Sequence, residues 1–123
     1  MSKSIKHILK QELEIKVNGK LWLESEGERF FGPGPLELLE QIEETGSISN
    51  AAKAMNMSYK KAWELINHLN AQTNFPVVVP KAGGEKGGGS TLTPEALELI
   101  KYYKALRKRF KTFLENETKG LKI

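Results

Sequence analysis

Cysteine is absent from this 123-residue chain, and histidine occurs twice, at His7 and His68. That excludes disulfides, cysteine-based zinc sites and a thiol nucleophile. No apolar run approaches the length of a membrane span, and the opening MSKSIKHILKQELE lacks the apolar stretch of a signal peptide. The expectation is a cytoplasmic protein with no membrane partner. No set of nucleophile, base and orienting group stands out, and no metal cluster does, so neither an enzyme nor a cofactor is expected. At this length a single domain can build its own core without staples.

What is present concentrates between Gly46 and Gln72, GSISNAAKAMNMSYKKAWELINHLNAQ. Thr45-Gly46 suits the end of one helix, and Ser49 is expected to cap the next by accepting from a backbone N–H. Ala51, Ala52 and Met55 form a small apolar face that lets another helix cross closely. Asn56 tolerates the left-handed backbone of a sharp turn. Ser58 is a second cap, after which Ala62, Leu65, Ile66 and Leu69 recur at helical spacing. Lys60, Lys61, Glu64, Asn67 and His68 are left on the outer face.

Such a helix pair occurs in many helical domains, and the next stretch separates the alternatives. Pro76-Val77-Val78-Val79-Pro80, then AGGEKGGGS, then Thr91-Leu92 reads as a two-stranded ribbon with a glycine-rich tip. Helix-turn-helix plus ribbon is a winged helix. The fold expectation is mainly α with small β, a winged helix-turn-helix with an N-terminal β-hairpin and a long C-terminal dimerisation helix. The winged domain is expected over 1–92, and the helix and its tail over 93–123.

Together, SYKKAW at a helix start and the GGEKGGG wing resemble the N-terminal DNA-binding domain of the molybdate-responsive, ModE-type regulators, and more distantly the LysR-type winged helix. The likeness runs from about Lys20 to Phe113. It implies a sequence-specific, dimeric DNA-binding transcriptional regulator. Full-length members of that family carry C-terminal molybdate-binding domains, whereas this sequence stops at Ile123. Molybdate is therefore not expected to bind this chain. A winged-helix module that binds another regulator instead of DNA is the alternative.

Charge supports the first reading. Residues 33–46 hold four acidic and no basic side chains, 47–92 five basic against two acidic, and 93–123 eight basic against four. The helix-turn-helix and the ribbon are basic, while the helix before them is acidic.

A helix start presents unpaired amides and a positive dipole end to phosphate, and its first turn reaches base edges in the major groove. Ser58 is expected on phosphate. Tyr59, Lys60 and Lys61 are expected in the groove with Glu64 beside them, and which lysine reads a base stays open. Lys53 on the preceding helix and Lys86 at the ribbon tip are expected on the DNA backbone. Trp63, one step off the buried stripe, is expected to flank the core, with DNA contact as the less favoured alternative. The glycine loop lacks the GxxxxGK[ST] order and the strand-to-helix setting of a nucleotide loop.

Residues 12–24 alternate around Asn18-Gly19, which predicts a β-hairpin there. Pro35 is expected to open an amphipathic helix with Leu36, Leu38, Leu39 and Ile42 inside. Thr93-Pro94-Glu95 opens the final helix, where Ala96, Leu99, Tyr103, Leu106, Phe110 and Phe113 step by three and four. Leu99, Tyr103, Leu106, Phe110 and Phe113 are expected as a dimer seam, with the chain fraying after Asn116.

Overall fold

The computed structural model describes residues 5–81 and 89–121. The element order is β1 (Leu23–Ser25), β2 (Glu28–Phe31), α1 (Pro33–Thr45), α2 (Ile48–Ala54), α3 (Tyr59–Asn70), β3 (Val78–Pro80), β4 (Ser90–Leu92) and α4 (Pro94–Leu121). A short 3-10 turn, Lys6–Ile8, precedes them. The winged helix with a hairpin ahead of it and a long helix behind it is the architecture expected.

The chain divides into two compact units, Trp22–Tyr103 and Met1–Leu21 with Lys104–Ile123. The first is the winged helix. Its core is built from Phe31, Leu38, Leu39, Ile42, Ala51, Ala62, Ile66, Leu69, Ala96 and Tyr103, all wholly buried. The opening turns of α4 belong to this unit because Ala96, Ile100 and Tyr103 point into that core. Phe31 and Tyr103 meet edge to face, with centroids 5.1 Å apart and ring planes at 81°, an arrangement that places a positive ring edge on a negative face.

The hairpin lies further along the chain than the Asn18-Gly19 signal predicts. Antiparallel pairing joins β1 to β2, with Leu23 opposite Phe31 and Ser25 opposite Glu28, and the turn is Glu26-Gly27, both at positive φ. At the expected turn the Asn18 side chain accepts a bond from the Gly19 amide, at 3.0 Å, and residues 13–22 carry no strand. The alternating residues find a different use in the second unit. There the Val17 amide donates to Thr118 Oγ1 at 2.9 Å, and a β-carbon on Gly19 would lie 3.2 Å from the Phe110 ring. The N-terminal segment thus runs against the last turns of α4, which continue as helix to Leu121 rather than fraying after Asn116.

Helix α1 opens two residues earlier than expected, at Pro33, with Gly32 before it. Trp22 lies so close over Gly32 that no side chain fits there. As expected, α1 stops at Gly46, which is left-handed at φ 83° and whose amide donates to the Ile42 carbonyl at 2.8 Å. The Gly46 carbonyl then accepts from the Ser90 amide at 2.8 Å, tying the base of the ribbon to the turn that launches the helix-turn-helix. Gly89 permits this approach: its φ is 140°, and an added β-carbon would sit 2.6 Å from the Gly46 oxygen.

The ribbon pairs Val78 with Leu92, Val79 with Thr91 and Pro80 with Ser90. Val77, just before it, is buried and anchored from two sides, by Asn70 Oδ1 on its amide at 2.9 Å and by the Thr93 amide on its carbonyl at 3.1 Å. Thr93 also caps α4, its hydroxyl oxygen accepting from the Ala96 amide at 3.1 Å while donating to the Pro76 carbonyl at 2.8 Å. One threonine therefore fixes both where α4 starts and where the ribbon leaves α3.

Candidate nucleic-acid interface

Two caps and one left-handed residue set the geometry of the interface. Ser47, in extended conformation, caps α2 by accepting from the Asn50 amide at 3.0 Å. Ser49, expected in that role, is already inside the helix. Ala51 and Ala52 of α2 and Ala62 of α3 are buried, and α2 packs on α3. Their small side chains let the two helices approach. Asn56 is left-handed at φ 54°, and the Met57 amide reaches back to the Ala52 carbonyl at 3.0 Å, so the turn doubles back sharply as its sequence predicts.

Ser58 then caps α3, its Oγ accepting from the Lys61 amide at 3.0 Å. A hydroxyl that accepts through oxygen still has its hydrogen to donate, which leaves Ser58 able to meet a phosphate while it holds the helix. The amides of Tyr59 and Lys60 begin α3 and have no acceptor within it, the arrangement that favours an anion at a helix N-terminus.

Lys53 on α2 and Ser58, Tyr59, Lys60, Lys61 and Glu64 at the start of α3 are all exposed. Lys86 lies outside the described residues. Ala62, Ile66 and Leu69 form the buried stripe of α3 as expected, with Leu65 half-buried beside it. The flank carrying His68 packs toward the hairpin, where Nε2 donates to the Arg29 carbonyl at 3.2 Å. Since a carbonyl only accepts, that bond places the proton on Nε2. Among the described residues no group of three His, Asp or Glu side chains could hold a metal ion, and no helix is long and apolar enough to cross a membrane.

The family model for bacterial regulatory helix-turn-helix proteins of the lysR family matches residues 34–97, which run from α1 through α2, α3 and the ribbon into α4. The chain belongs to the lysR family of regulatory helix-turn-helix proteins. It is similar to the molybdenum transport protein ModE of Azotobacter vinelandii, at 40% identity over 86 residues, 70% of this chain and 32% of that protein. It is also similar to the transcriptional regulator ModE of Yersinia pestis, at 43% over 77 residues, 63% of this chain and 29% of that protein. The molybdenum-pterin-binding protein MopB of Rhodobacter capsulatus matches at 39% over 101 residues, 82% and 37% respectively. This chain thus spans about a third of the length of these curated relatives. The segment shared with that family is the helix-turn-helix with its ribbon, the elements described above.

Three positions differ from what the sequence alone suggests. Trp63, expected against the core, is exposed and touches the Tyr59 ring instead. Tyr103, expected in a dimer seam, has no exposed surface because it fills the core against Phe31. Its neighbour Tyr102 carries the exposed ring, at 57%. In a long helix, adjacent tyrosines satisfy a three-and-four spacing almost equally well, so only packing separates them. Lys81, at the base of the ribbon, was not singled out, and its exposed side chain runs beside Gly46 and Gly89.

Proposed function

We propose that this chain acts as a sequence-specific transcriptional regulator that inserts α3 into the major groove of double-stranded DNA, with Lys60, Lys61 and Tyr59 toward the bases and Glu64 beside them. Ser58 and Lys53 hold the sugar-phosphate backbone, and Lys86 follows it from the ribbon. The observation that carries the proposal is the exposed basic first turn of α3 beneath its serine cap, because a dipole-positive helix start with unpaired amides and lysines is built for a phosphate-lined groove. Selection of binding sites from a random duplex pool tests it. Recovery of a common motif supports the proposal, and recovery of unrelated sequences with no salt-dependent affinity would leave only a protein-binding winged helix, which the basic surface does not favour.

We further propose a homodimer through α4. Leu99, Leu106 and Phe110 are half-buried and Phe113 is 55% exposed; with Tyr102 in place of Tyr103 they form one stripe along the helix. Phe110 and Phe113 already stack, with centroids 6.5 Å apart and planes at 13°. Leu106→Glu would put a charge into that apolar seam and convert dimer to monomer. Sedimentation at micromolar concentration reads the outcome, and a parent chain that is already monomeric would remove the seam. A two-fold dimer also requires an inverted-repeat operator.

Molybdate is not expected to alter operator affinity of this chain. A tetrahedral oxyanion drawn to Lys60 and Lys61 would occupy the surface that DNA needs, whereas coupling requires a second, distinct site. Operator titrations with and without micromolar molybdate, at fixed ionic strength, should coincide. A saturable shift that sulfate does not reproduce would reveal a sensor site.

A further inference from the structure

Large aromatic rings left in water at a basic surface are candidates for contact with a partner. Tyr59 and Trp63 are 53% and 37% exposed, and their rings meet edge to face with centroids 6.2 Å apart and planes at 75°. Their spacing of four places them on the same side of α3, as one short ridge. Lys60 lies three positions before Trp63 and Asn67 four positions after it, so the ridge borders the polar outward face directly.

The ridge is apolar, but its rim is not. Lys60 and Lys61 in the first turn of α3 are exposed, as is Lys53 on α2, and this positive charge fits a polyanion better than the apolar pocket of a protein. In the major groove of duplex DNA the one apolar feature of a base edge is the C5-methyl group of thymine. Tyr59 is the first residue of α3, on the groove side with Lys60 and Lys61 in the reading above. Trp63 stands one turn further along.

We propose that Trp63, braced by the Tyr59 ring, packs its indole on a thymine methyl group and so determines sequence preference at that base pair. This rests on the reading of α3 as the recognition helix, and the test separates the two. The probe is the duplex recovered by the wild-type chain from a random pool, compared with the same duplex carrying deoxyuridine for every thymine, which removes the methyl groups and keeps the pairing.

Wild type should bind the uracil duplex about 10-fold more weakly than the thymine duplex. Trp63→Gln should lose about 10-fold on the thymine duplex, lose nothing further on the uracil duplex, and bind scrambled DNA as wild type does. Trp63→Phe, which keeps a ring, should recover part of the preference. A wild type indifferent to the methyl groups overturns the proposal whether or not the variants fold, and so does a recovered motif with no fixed thymine. Operator binding by Trp63→Gln equal to wild type also overturns it and assigns the ridge to a protein partner. If the wild type recovers no motif at all, the recognition-helix reading itself fails; if it recovers one and ignores the methyl groups, only the role of Trp63 fails.

Discussion

Phe31→Ala is expected to destabilise the winged unit by about 3 to 5 kcal/mol, the cost of deleting a large buried ring and leaving the cavity partly unfilled. Phe31 is wholly buried at the end of β2. Its ring braces Tyr103 of α4, so its loss removes packing from the hairpin and the long helix together. Single domains are stable by only about 5 to 15 kcal/mol, which means that much of the margin goes with this one side chain. Urea unfolding followed by tryptophan fluorescence measures it. A midpoint within experimental error of wild type would show that the Phe31–Tyr103 contact does not hold the winged unit together.

The second large effect concerns binding and should leave stability unchanged. Lys60→Ala and Lys61→Ala remove exposed side chains from the first turn of α3, where neither supports the core. A lysine on a base edge is worth about 1 to 3 kcal/mol and its loss relaxes preference at that pair, whereas a lysine on phosphate lowers the salt slope by about one unit and weakens all sequences alike. The two variants should therefore separate the roles of the two lysines, and the double variant should bind weakest. Anisotropy titrations at several salt concentrations distinguish the outcomes. Wild-type affinity in both single variants, with unfolding unchanged, would remove α3 from the groove.

Much of the fold was legible because local chemistry and tertiary packing agree at the points that matter. Gly46, Asn56, Ser58 and Thr93 each suit one backbone geometry, and each takes it. The valine run and the following Thr91-Leu92 form the ribbon. Where two local solutions compete, sequence did not decide. Asn18-Gly19 and Glu26-Gly27 can both turn a hairpin, and the second prevails in a strand that ends in the buried Phe31, while the first segment lies along α4. Ser47 and Ser49 can both cap α2, and the one whose backbone is extended does. Tyr102 and Tyr103 fit the same spacing, and it is Tyr103 that enters the core, against the ring of Phe31.

The candidate interface was legible for the same reason and to the same limit. Charge and cap position single out Ser58, Tyr59, Lys60 and Lys61, since solvated lysines at a helix start follow from sequence periodicity alone. Trp63 was legible only as a choice between core and DNA contact, with the core favoured, because an aromatic residue one step from a buried stripe packs inward or stays exposed according to the neighbouring helix. Here α2 packs on α3 with Ala51, Ala52 and Ala62 buried, and the indole remains outside against Tyr59.

The central claim is that α3 binds duplex DNA through its basic first turn and reads sequence there. The most direct measurement is a titration of the wild-type chain against the selected duplex and a scrambled duplex of equal length, from about 50 to 200 mM salt. Tighter binding to the selected duplex at every salt concentration, with affinity for both falling linearly on a log–log plot and a shallower slope in the Lys60→Ala, Lys61→Ala double variant, is the result expected. Equal affinity for the two duplexes, or a slope that the double variant does not change, would contradict it.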